Sequence, residues 1–563
     1  MKKVVCFVLA ASMTLLSWGQ APLKGKILKL DFSASVAERG GSSMSLGLGG
    51  LSNSRSQSLL GVVRALDAAA KDDKISMVFL KTDKFSSSPA TAEELRQALS
   101  RFSAAGKPVV SYATSYDAGS YYLASVADKV VLNPSGEGQL IGMSSLVYYL
   151  GDLLDTLGVK MQLIRHGKYK SAGEPYIRGD MSPENREQYE VMLGSIWNAR
   201  MEEIAASRKI KIEDLDAWVK DLALDKAQSW LDKGLVDTLW NRGQMEAWLC
   251  KSFGAKHPEY LRVVDIADYA SKLKKGPAKN KIAVIYADGE IGSGRDVKGV
   301  KLAAEIAKVR ADSTVKIIVF RVNSPGGAVL DSDLIRSEIL AARKVKPIIA
   351  SYGNLAASGG YWISSSADRI FTDNTTLTGS IGVFGLIPAL GPAIRKNLKV
   401  NMVSVGTHPH SDLNQGMRPL DEQERAWMQN NVDDTYDQFV SLVADSRKLE
   451  KDFVESIAQG RVWAGVDALR LGLADEKGSL IDAIHYAAKQ KGLESYRIVC
   501  YPEAKSMSLR ELLKGSKDDA PLVEVQVPEA LQSAAAALQE ASLLVGDGSR
   551  PSVQARMPFI ELQ

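Results

Sequence analysis

Cysteine is scarce in this sequence, and its scarcity excludes a scaffold held together by disulfides. The chain of 563 residues has three cysteines, Cys6, Cys250 and Cys500. Small secreted domains that depend on disulfides carry an even and closely spaced set of cysteines. A bond between Cys250 and Cys500 would not amount to such a framework. We expect each of these two to be a small, buried apolar residue.

Metal-binding motifs and strong positive charge are also missing. No HExxH motif and no CxxC pair surrounds the five histidines, His166, His257, His408, His410 and His485. We therefore expect no metal ion and no other cofactor. The net charge is only +4, from 70 basic and 66 acidic residues, and no basic block stands out. Nucleic acid is therefore not expected as a partner.

Long hydrophobic runs are absent beyond the N-terminus. The chain begins "MKKVVCFVLAASMTLLSWGQA", with two lysines, an apolar run over 4–18, and then small and polar residues. This is the layout of an export signal, and the run is shorter than the roughly 20 residues of a membrane-spanning helix. We predict that residues 1–20 are an export signal, with a retained membrane anchor as the alternative. The catalytic or binding part would then lie outside the cytoplasmic membrane, in the periplasm.

An internal repeat is the most informative feature present. "SYATSYDAGSYYLASVADKVVLNP", from Ser111, runs without a gap beside "SYGNLAASGGYWISSSADRIFTDN", from Ser351, 240 positions later. "LIGM" at 140–143 meets "SIGV" at 380–383 with the same offset. Self-similarity at a fixed distance indicates two diverged copies of one structural unit.

The pattern within each copy predicts an α/β fold. Short β-rich runs such as "KIAVIYA" and "KPIIASY" alternate with helical patterns such as "DSDLIRSEILAARK", as in domains with largely parallel sheets. Helix-rich stretches follow each "IG" segment, at 184–208 and 422–449. A lysine-rich joint with Gly and Pro, at 271–281, separates the copies. We predict a first copy over 21–270, a second over 278–505, and an Ala-, Gln- and Pro-rich tail over 506–563.

The two copies differ in the residues that could carry chemistry. Ser358 of the second copy corresponds to Ala118 of the first, and the paired glycines of "NSPGG" at 323–327 have no counterpart there. Conversely, Lys170 of the first copy corresponds to His410 of the second. Each copy has therefore kept what the other lacks. This complementary loss predicts a single site composed of both copies.

Four motifs, "GKYKSAGEP" followed by "MSP", "VNSPGG", "AASGGYWIS" and "GSIGV", connect the chain to a known family. In this order they resemble the long, tandem-repeat form of the bacterial signal peptide peptidases, the protease IV family, over residues 25–505. The resemblance implies two Clp/crotonase-like domains and a serine protease with a Ser/Lys dyad. Ser358 would be the nucleophile and Lys170 the general base, with Ser380 orienting the lysine. It also implies an envelope-bound, inner-membrane-associated homo-oligomer, commonly a tetramer, that cleaves released signal peptides and other hydrophobic peptides.

Elementary chemistry states what this dyad requires. A serine hydroxyl needs an adjacent base, and lysine, with an ordinary pKa of about 10.4, serves only if burial lowers its pKa. The backbone N–H groups of Gly359 and Gly327 would face the developing oxyanion, a contribution of about 3 kcal/mol for each donor.

Other interpretations of the same residues remain. Ser358 could be a helix cap or a packing residue, and Lys168 is a rival base. A crotonase-type acyl-CoA enzyme would use a similar oxyanion hole, and a non-enzymatic scaffold would only bind peptides. A Clp-type triad needs a histidine soon after the serine, but none occurs between Ser358 and His408. The GxSxG elbow fails because Ala356 replaces its first glycine.

Overall fold

The structure is a computed structural model that describes residues 22–47, 50–277, 279–503 and 554–557. The predicted export signal at 1–20 lies outside these residues. None of the helices in the described ranges is long and apolar enough to cross a membrane.

Strands and helices alternate through most of the chain. The first copy has strands β1 (Lys26–Leu30), β2 (Ser35–Ala37), β3 (Gly41–Gly47), β4 (Gly50–Ser58), β5 (Ile75–Lys81), β6 (Val109–Ala113), β7 (Lys129–Leu132), β8 (Lys160–His166), β9 (Thr238–Leu239) and β10 (Val263–Asp265). Its helices are α1 (Leu59–Lys71), α2 (Pro89–Ala104), α3 (Ala118–Ala124), α4 (Gly151–Leu157), α5 (Pro183–Arg208), α6 (Ile212–Lys220), α7 (Ala227–Asp232), α8 (Arg242–Phe253) and α9 (Ile266–Ser271).

The second copy repeats the alternation. Its strands, together with the strand near the C-terminus, are β11 (Lys281–Asp288), β12 (Val315–Ser324), β13 (Gly326–Ala328), β14 (Ile348–Ala357), β15 (Arg369–Thr372), β16 (Leu377–Gly379), β17 (Val383–Ala389), β18 (Val462–Ala464), β19 (Glu476–Lys477), β20 (Arg497–Tyr501) and β21 (Gln554–Arg556). Its helices are α10 (Gly299–Ala311), α11 (Val329–Arg343), α12 (Gly359–Ser364), α13 (Gly391–Leu398), α14 (Glu422–Arg447), α15 (Lys451–Ile457), α16 (Gly465–Arg470) and α17 (Leu480–Gln490).

Each copy is built on a mostly parallel sheet. Parallel neighbours run β1-β5-β6-β7 in the first copy and β11-β12-β14-β15 in the second. Helices cover the sheets, so central strands such as β11 are buried almost throughout and their sequences are continuous apolar runs. The prediction of an α/β chain with two tandem copies of one fold is confirmed.

A small antiparallel sheet joins the two copies. β8 of the first copy pairs with β17 of the second along its whole length, from Val383 opposite His166 to Ala389 opposite Lys160. The order of this sheet is β13-β21-β17-β8. The chain segment that follows β8 is therefore delivered directly to the second copy.

A buried ion network also holds the copies together. Arg321, on β12, is 1% exposed, and its guanidinium contacts the carboxylates of Glu38 and Glu94 from the first copy at 2.6 and 2.5 Å. Buried charges are tolerated when they are paired and hydrogen-bonded in this way. Removal of Arg321 would leave two carboxylates unpaired between the copies.

Of the predicted C-terminal tail, only 554–557 is described, and these residues do not lie at the periphery. β21 is the strand between β13 and β17, and Met557 is 3% exposed.

Candidate active site

Ser358 lies at the junction of β14 and α12 in a backbone conformation that serine rarely adopts. Its φ is 55° and its ψ is −118°, and its side chain makes no capping bond to α12. In the first copy Asp117, the residue before Ala118, caps α3 in the ordinary way by accepting from Ser120 N–H. The helix-cap interpretation of Ser358 is therefore wrong. Strain of this kind persists where the surrounding structure imposes it, often at functional sites.

Lys170 meets this serine from the other copy. Its Nζ lies 2.7 Å from Ser358 Oγ, and both side chains are completely buried. Burial lowers the pKa of Lys170 well below its usual value, and desolvation is the cause. A neutral amine offers a lone pair, so the Ser358 hydroxyl can donate its hydrogen bond to Nζ. The pair thus has the geometry of a nucleophile beside a base, and burial favours the neutral form of the amine.

Ser380 contacts the amine through both its hydroxyl and its backbone carbonyl. Lys170 Nζ donates to Ser380 Oγ at 3.0 Å and to the Ser380 carbonyl at 3.1 Å. Ser380 Oγ in turn donates to the Gly460 carbonyl at 3.3 Å. With both amine hydrogens engaged, the lone pair of the neutral amine is directed at Ser358.

Two glycines make room for the lysine side chain. A Cβ placed on Gly460 would lie 2.5 Å from Lys170 Cβ, and one placed on Gly382 would lie 3.2 Å from Lys170 Cδ. Any larger residue at Gly460 would collide with the lysine, because contacts under 3.0 Å do not occur between real side chains. The close approach of these two glycine backbones contributes to the complete burial of Lys170.

The segment that carries Lys170 is anchored by a second polar group. Arg165 Nη1 donates to the Lys170 carbonyl at 3.0 Å and to Glu174 at 2.9 Å. Glu174 is itself buried and accepts from Ser182 Oγ at 2.8 Å. These contacts lie within the first copy and hold the loop after β8 in one conformation.

The proposed oxyanion donors are adjacent. An ideal Cβ on Gly359 would lie 3.1 Å from the backbone N of Gly327, so the two backbones approach closely. Gly327 has φ 151°, and a Cβ there would lie 1.9 Å from the Ile291 carbonyl. Only glycine fits at this position, which places a backbone N–H beside the residue after Ser358.

The rival groups lie elsewhere. Lys168 is exposed, with its Nζ 5.0 Å from the centre of the Tyr169 ring. His408 Nδ1 bonds Thr407, and His410 Nδ1 bonds Glu424 at 2.9 Å. The structure therefore brings Lys170, and not Lys168 or these histidines, to Ser358.

One group among the described residues has the composition of a metal site. Nitrogen and oxygen atoms of His410, Asp421 and Glu424 lie within 4.8 Å of one another. Arg418 also contacts Glu424, at 2.7 Å, and supplies positive charge to this carboxylate. These three residues are distant from Ser358 and Lys170 in the sequence. Glu424 already has a positively charged partner in Arg418, so the carboxylate is paired without a metal ion.

Some residues that shape the site were not found from the sequence. Gly460 and Arg165 belong to none of the repeat matches, and Gly382, although it lies within "SIGV", gave no signal of contact with Lys170. The complementary pattern of the copies singled out Ser358 and Lys170, which the structure brings into contact, but not the residues that surround them.

Sequence comparisons relate the chain to known proteins. A sequence model described as "Peptidase family S49" matches the chain twice, over residues 101–255 and 341–494. "Protease 4" of Salmonella typhi is 36% identical over 90% of this chain and 84% of its own length. "Serine protease SPPA, chloroplastic" of Arabidopsis thaliana is 30% identical over 79% of this chain and 68% of its own length. A solved chain, a mutant ClpP1 from Listeria monocytogenes, aligns over 36% of this chain and 94% of its own, with 14% identity and a TM-score of 0.25.

Proposed function

The chain belongs to peptidase family S49 and is a serine peptidase, and we propose that it is an endopeptidase that works through a Ser358/Lys170 dyad. The observation that carries this proposal is the 2.7 Å contact between a buried amine and a strained serine. Burial lowers the pKa of the amine well below its usual value, which favours the neutral form that a general base requires.

The mechanism follows from the positions of the groups. Lys170 takes the hydroxyl proton as Ser358 Oγ attacks the peptide carbonyl, and the N–H groups of Gly359 and Gly327 receive the oxyanion. Lys170 then gives its proton to the departing amine, which leaves an acyl-enzyme on Ser358. The neutral lysine next activates a water molecule, whose attack releases the acid and restores the hydroxyl.

Hydrophobic peptides, including released signal peptides, are the proposed substrates. An apolar cluster borders the nucleophile: Ala357, which precedes Ser358, packs with Leu377 and Val462 of the second copy and with Tyr189 and Met192 of the first. The S49 resemblance adds signal peptides as the class. Action in the cell envelope, with the catalytic part periplasmic and attached to the inner membrane, is proposed on the same resemblance and on the composition of residues 1–20.

We also propose a homo-oligomer, because the repeat relates two segments without extended strands, 143–149 and 401–407, to the paired strands β17 and β8. A residue with positive φ follows each of α4 and α13, namely Gly158 and Lys399. When these two residues are aligned, 401–407 of the second copy corresponds to β8 of the first. Likewise, when Gly142 and Gly382 of the "IG" segments are aligned, 143–149 of the first copy corresponds to β17 of the second. In the described residues 401–407 contains no strand, and 143–149 contains only the isolated β-bridge at Ser145.

Both of these segments carry exposed apolar side chains. Val403 and Val405 are 85% and 93% exposed, and Leu146 is 57% exposed. Pairing 401–407 of one chain with 143–149 of the next would repeat the β8·β17 contact between chains. Such a head-to-tail contact closes into a ring when the rotation between chains permits it, and the family resemblance implies four chains.

The function is tested by cleavage of a synthetic signal peptide, followed by mass spectrometry. Wild-type chain should cut it, and Ser358→Ala and Lys170→Ala should not. Ser366→Ala is the matched control, because Ser366 is a buried serine that bonds Ser446 and not the dyad. Unchanged turnover in either dyad variant would refute the mechanism.

A further inference from the structure

β21 lies where a peptide would have to lie to be cut. It is the strand between β13, which carries Gly327, and β17, which follows Ser380. It is antiparallel to both, with Ala555 opposite Gly327 and Gln554 opposite Phe384. An extended peptide held between two strands by its backbone is a recurring form of peptide recognition.

The register of this strand brings a particular carbonyl to the oxyanion position. Met557 N–H donates to the Pro325 carbonyl at 2.8 Å. Hydrogen-bonded pairs recur at every second residue of an antiparallel ladder, so the next such pair is Ala555 with Gly327. The Ala555 carbonyl therefore accepts from the same Gly327 N–H that is proposed to stabilise the oxyanion.

The residue two positions further on is anchored in a pocket formed by both copies. Met557 is 3% exposed and packs in the apolar cluster beside the nucleophile, which comprises Ala357, Leu377, Val462, Ala464, Tyr189, Met192 and Ile196. Arg556 adds an ion pair with Glu290, at 3.7 Å.

The position of β21 also bears on access to the nucleophile. The strand lies against α12, whose first residue follows Ser358, and Ser358 is completely buried. A peptide substrate that pairs with β13 and β17 would need the place that β21 holds. The strand and the substrate therefore exclude each other.

We propose that residues 554–557 are an internal peptide ligand of the active cleft, bound in the register of a substrate and in competition with peptide substrates. The internal-ligand proposal rests on the proposed function only in taking peptide substrates as the ligands that compete with residues 554–557. The pocket that holds Met557 would then bind an apolar side chain of a peptide, two residues after the residue whose carbonyl faces Gly327. The bond presented to Ser358 is the one between Ala555 and Arg556.

The kinetic test changes the anchor and leaves the catalytic groups in place. In the full chain, Met557→Asp puts a charge into the apolar pocket and should release the strand, whereas Met557→Leu keeps the apolar volume. Because occupancy by the strand reduces the apparent affinity for substrate, Met557→Asp should lower KM by about threefold or more with unchanged kcat. Met557→Leu should behave as the wild type. A KM for Met557→Asp equal to or above that of the wild type would overturn the competition.

A binding test does not depend on turnover. The chain with Ser358→Ala and Met557→Asp has an open cleft and no nucleophile, and a fluorescent peptide with the sequence of 550–560, RPSVQARMPFI, should bind to it and raise its fluorescence anisotropy. The unlabelled peptide should displace the probe, and the same peptide with Asp in place of Met should not. Absence of binding, or equal displacement by both peptides, would refute the internal ligand. A failure of the proposed function would instead show as absent turnover with binding intact.

Discussion

Lys170 Nζ and Ser358 Oγ are 2.7 Å apart although 188 positions of sequence separate them. The lysine follows β8 of the first copy, and the serine precedes α12 of the second. A chain with one copy could therefore not form this pair within itself. The duplicated chain holds one complete pair, because Ala118 and His410 stand at the two corresponding positions.

Substitution of the lysine should separate its catalytic role from its cost to the fold. Lys170→Met has a similar volume and needs no hydrogen bonds, so we expect a folded chain that has lost at least about a thousandfold of kcat/KM. Lys170→Arg should be equally inactive, because a guanidinium stays protonated. The measurement is peptide cleavage together with circular dichroism.

Lys168→Met is the control for the lysine substitutions. This residue is two positions away and exposed, so its replacement should leave kcat/KM within a factor of about two. If Lys168→Met were the inactive variant and Lys170→Met active, the assignment of the base would be wrong.

The pH dependence of activity and of stability should both report the buried amine. The pKa of Lys170 is lowered by burial, so kcat/KM should rise with pH through that lowered pKa, below the usual value of 10.5. Between the lowered pKa and 10.5 the unfolded chain binds one proton more than the folded chain, so wild-type stability rises with pH in this window. Lys170→Met lacks this proton linkage and should unfold at a higher temperature than the wild type at neutral pH.

The stability difference should then shrink as the pH approaches 10.5, the usual pKa of the amine. Thermal unfolding of both proteins at a series of pH values gives this comparison. A constant difference in melting temperature across the series would mean that the lysine is protonated in the folded chain.

Ser380 should act as a positioning residue. Ser380→Ala removes the hydroxyl that accepts from the amine at 3.0 Å, while the backbone carbonyl at 3.1 Å remains. Loss of one hydrogen bond corresponds to a decrease of about tenfold, which should fall on kcat and leave KM unchanged. The pH profile should also shift, because Ser380 contacts the titrating amine. An increase in KM with an unaltered pH profile would indicate a general structural defect instead.

The sequence singled out Ser358 and Lys170, which the structure brings into contact, but not the residues around them. Ser358 and Lys170 could be paired because the corresponding positions of the other copy hold different residues, Ala118 and His410. Gly460 could not be identified, since its role is to leave space for Lys170, and space depends on the packing of distant segments. The Arg321 network and the antiparallel placement of β21 likewise depend on tertiary contacts between residues hundreds of positions apart, which carry no local pattern.

The proposed contact between chains has a defined register that can be tested by disulfide trapping. In the contact between copies, Ile387 lies opposite Gln162, and the repeat maps this pair onto Val147 of one chain and Val403 of the next. With Cys6, Cys250 and Cys500 replaced by serine, a mixture of a Val147→Cys chain and a Val403→Cys chain should form a cross-linked dimer under mild oxidation.

Two controls decide whether a cross-link reports the strand register. Val400 lies three residues from Val403 along the same segment, and Val400→Cys mixed with Val147→Cys should cross-link far less. Residues directly opposite one another are about 5 Å apart, whereas residues three positions out of register are much farther apart. A chain with both Val147→Cys and Val403→Cys should give cross-linked species up to the size of the closed ring, measured by mass photometry, and no longer polymer. Equal cross-linking at Val400 and Val403 would indicate random collision. A chain that is monomeric at micromolar concentration would exclude the contact, because the exposed Val403 and Val405 would then remain in water.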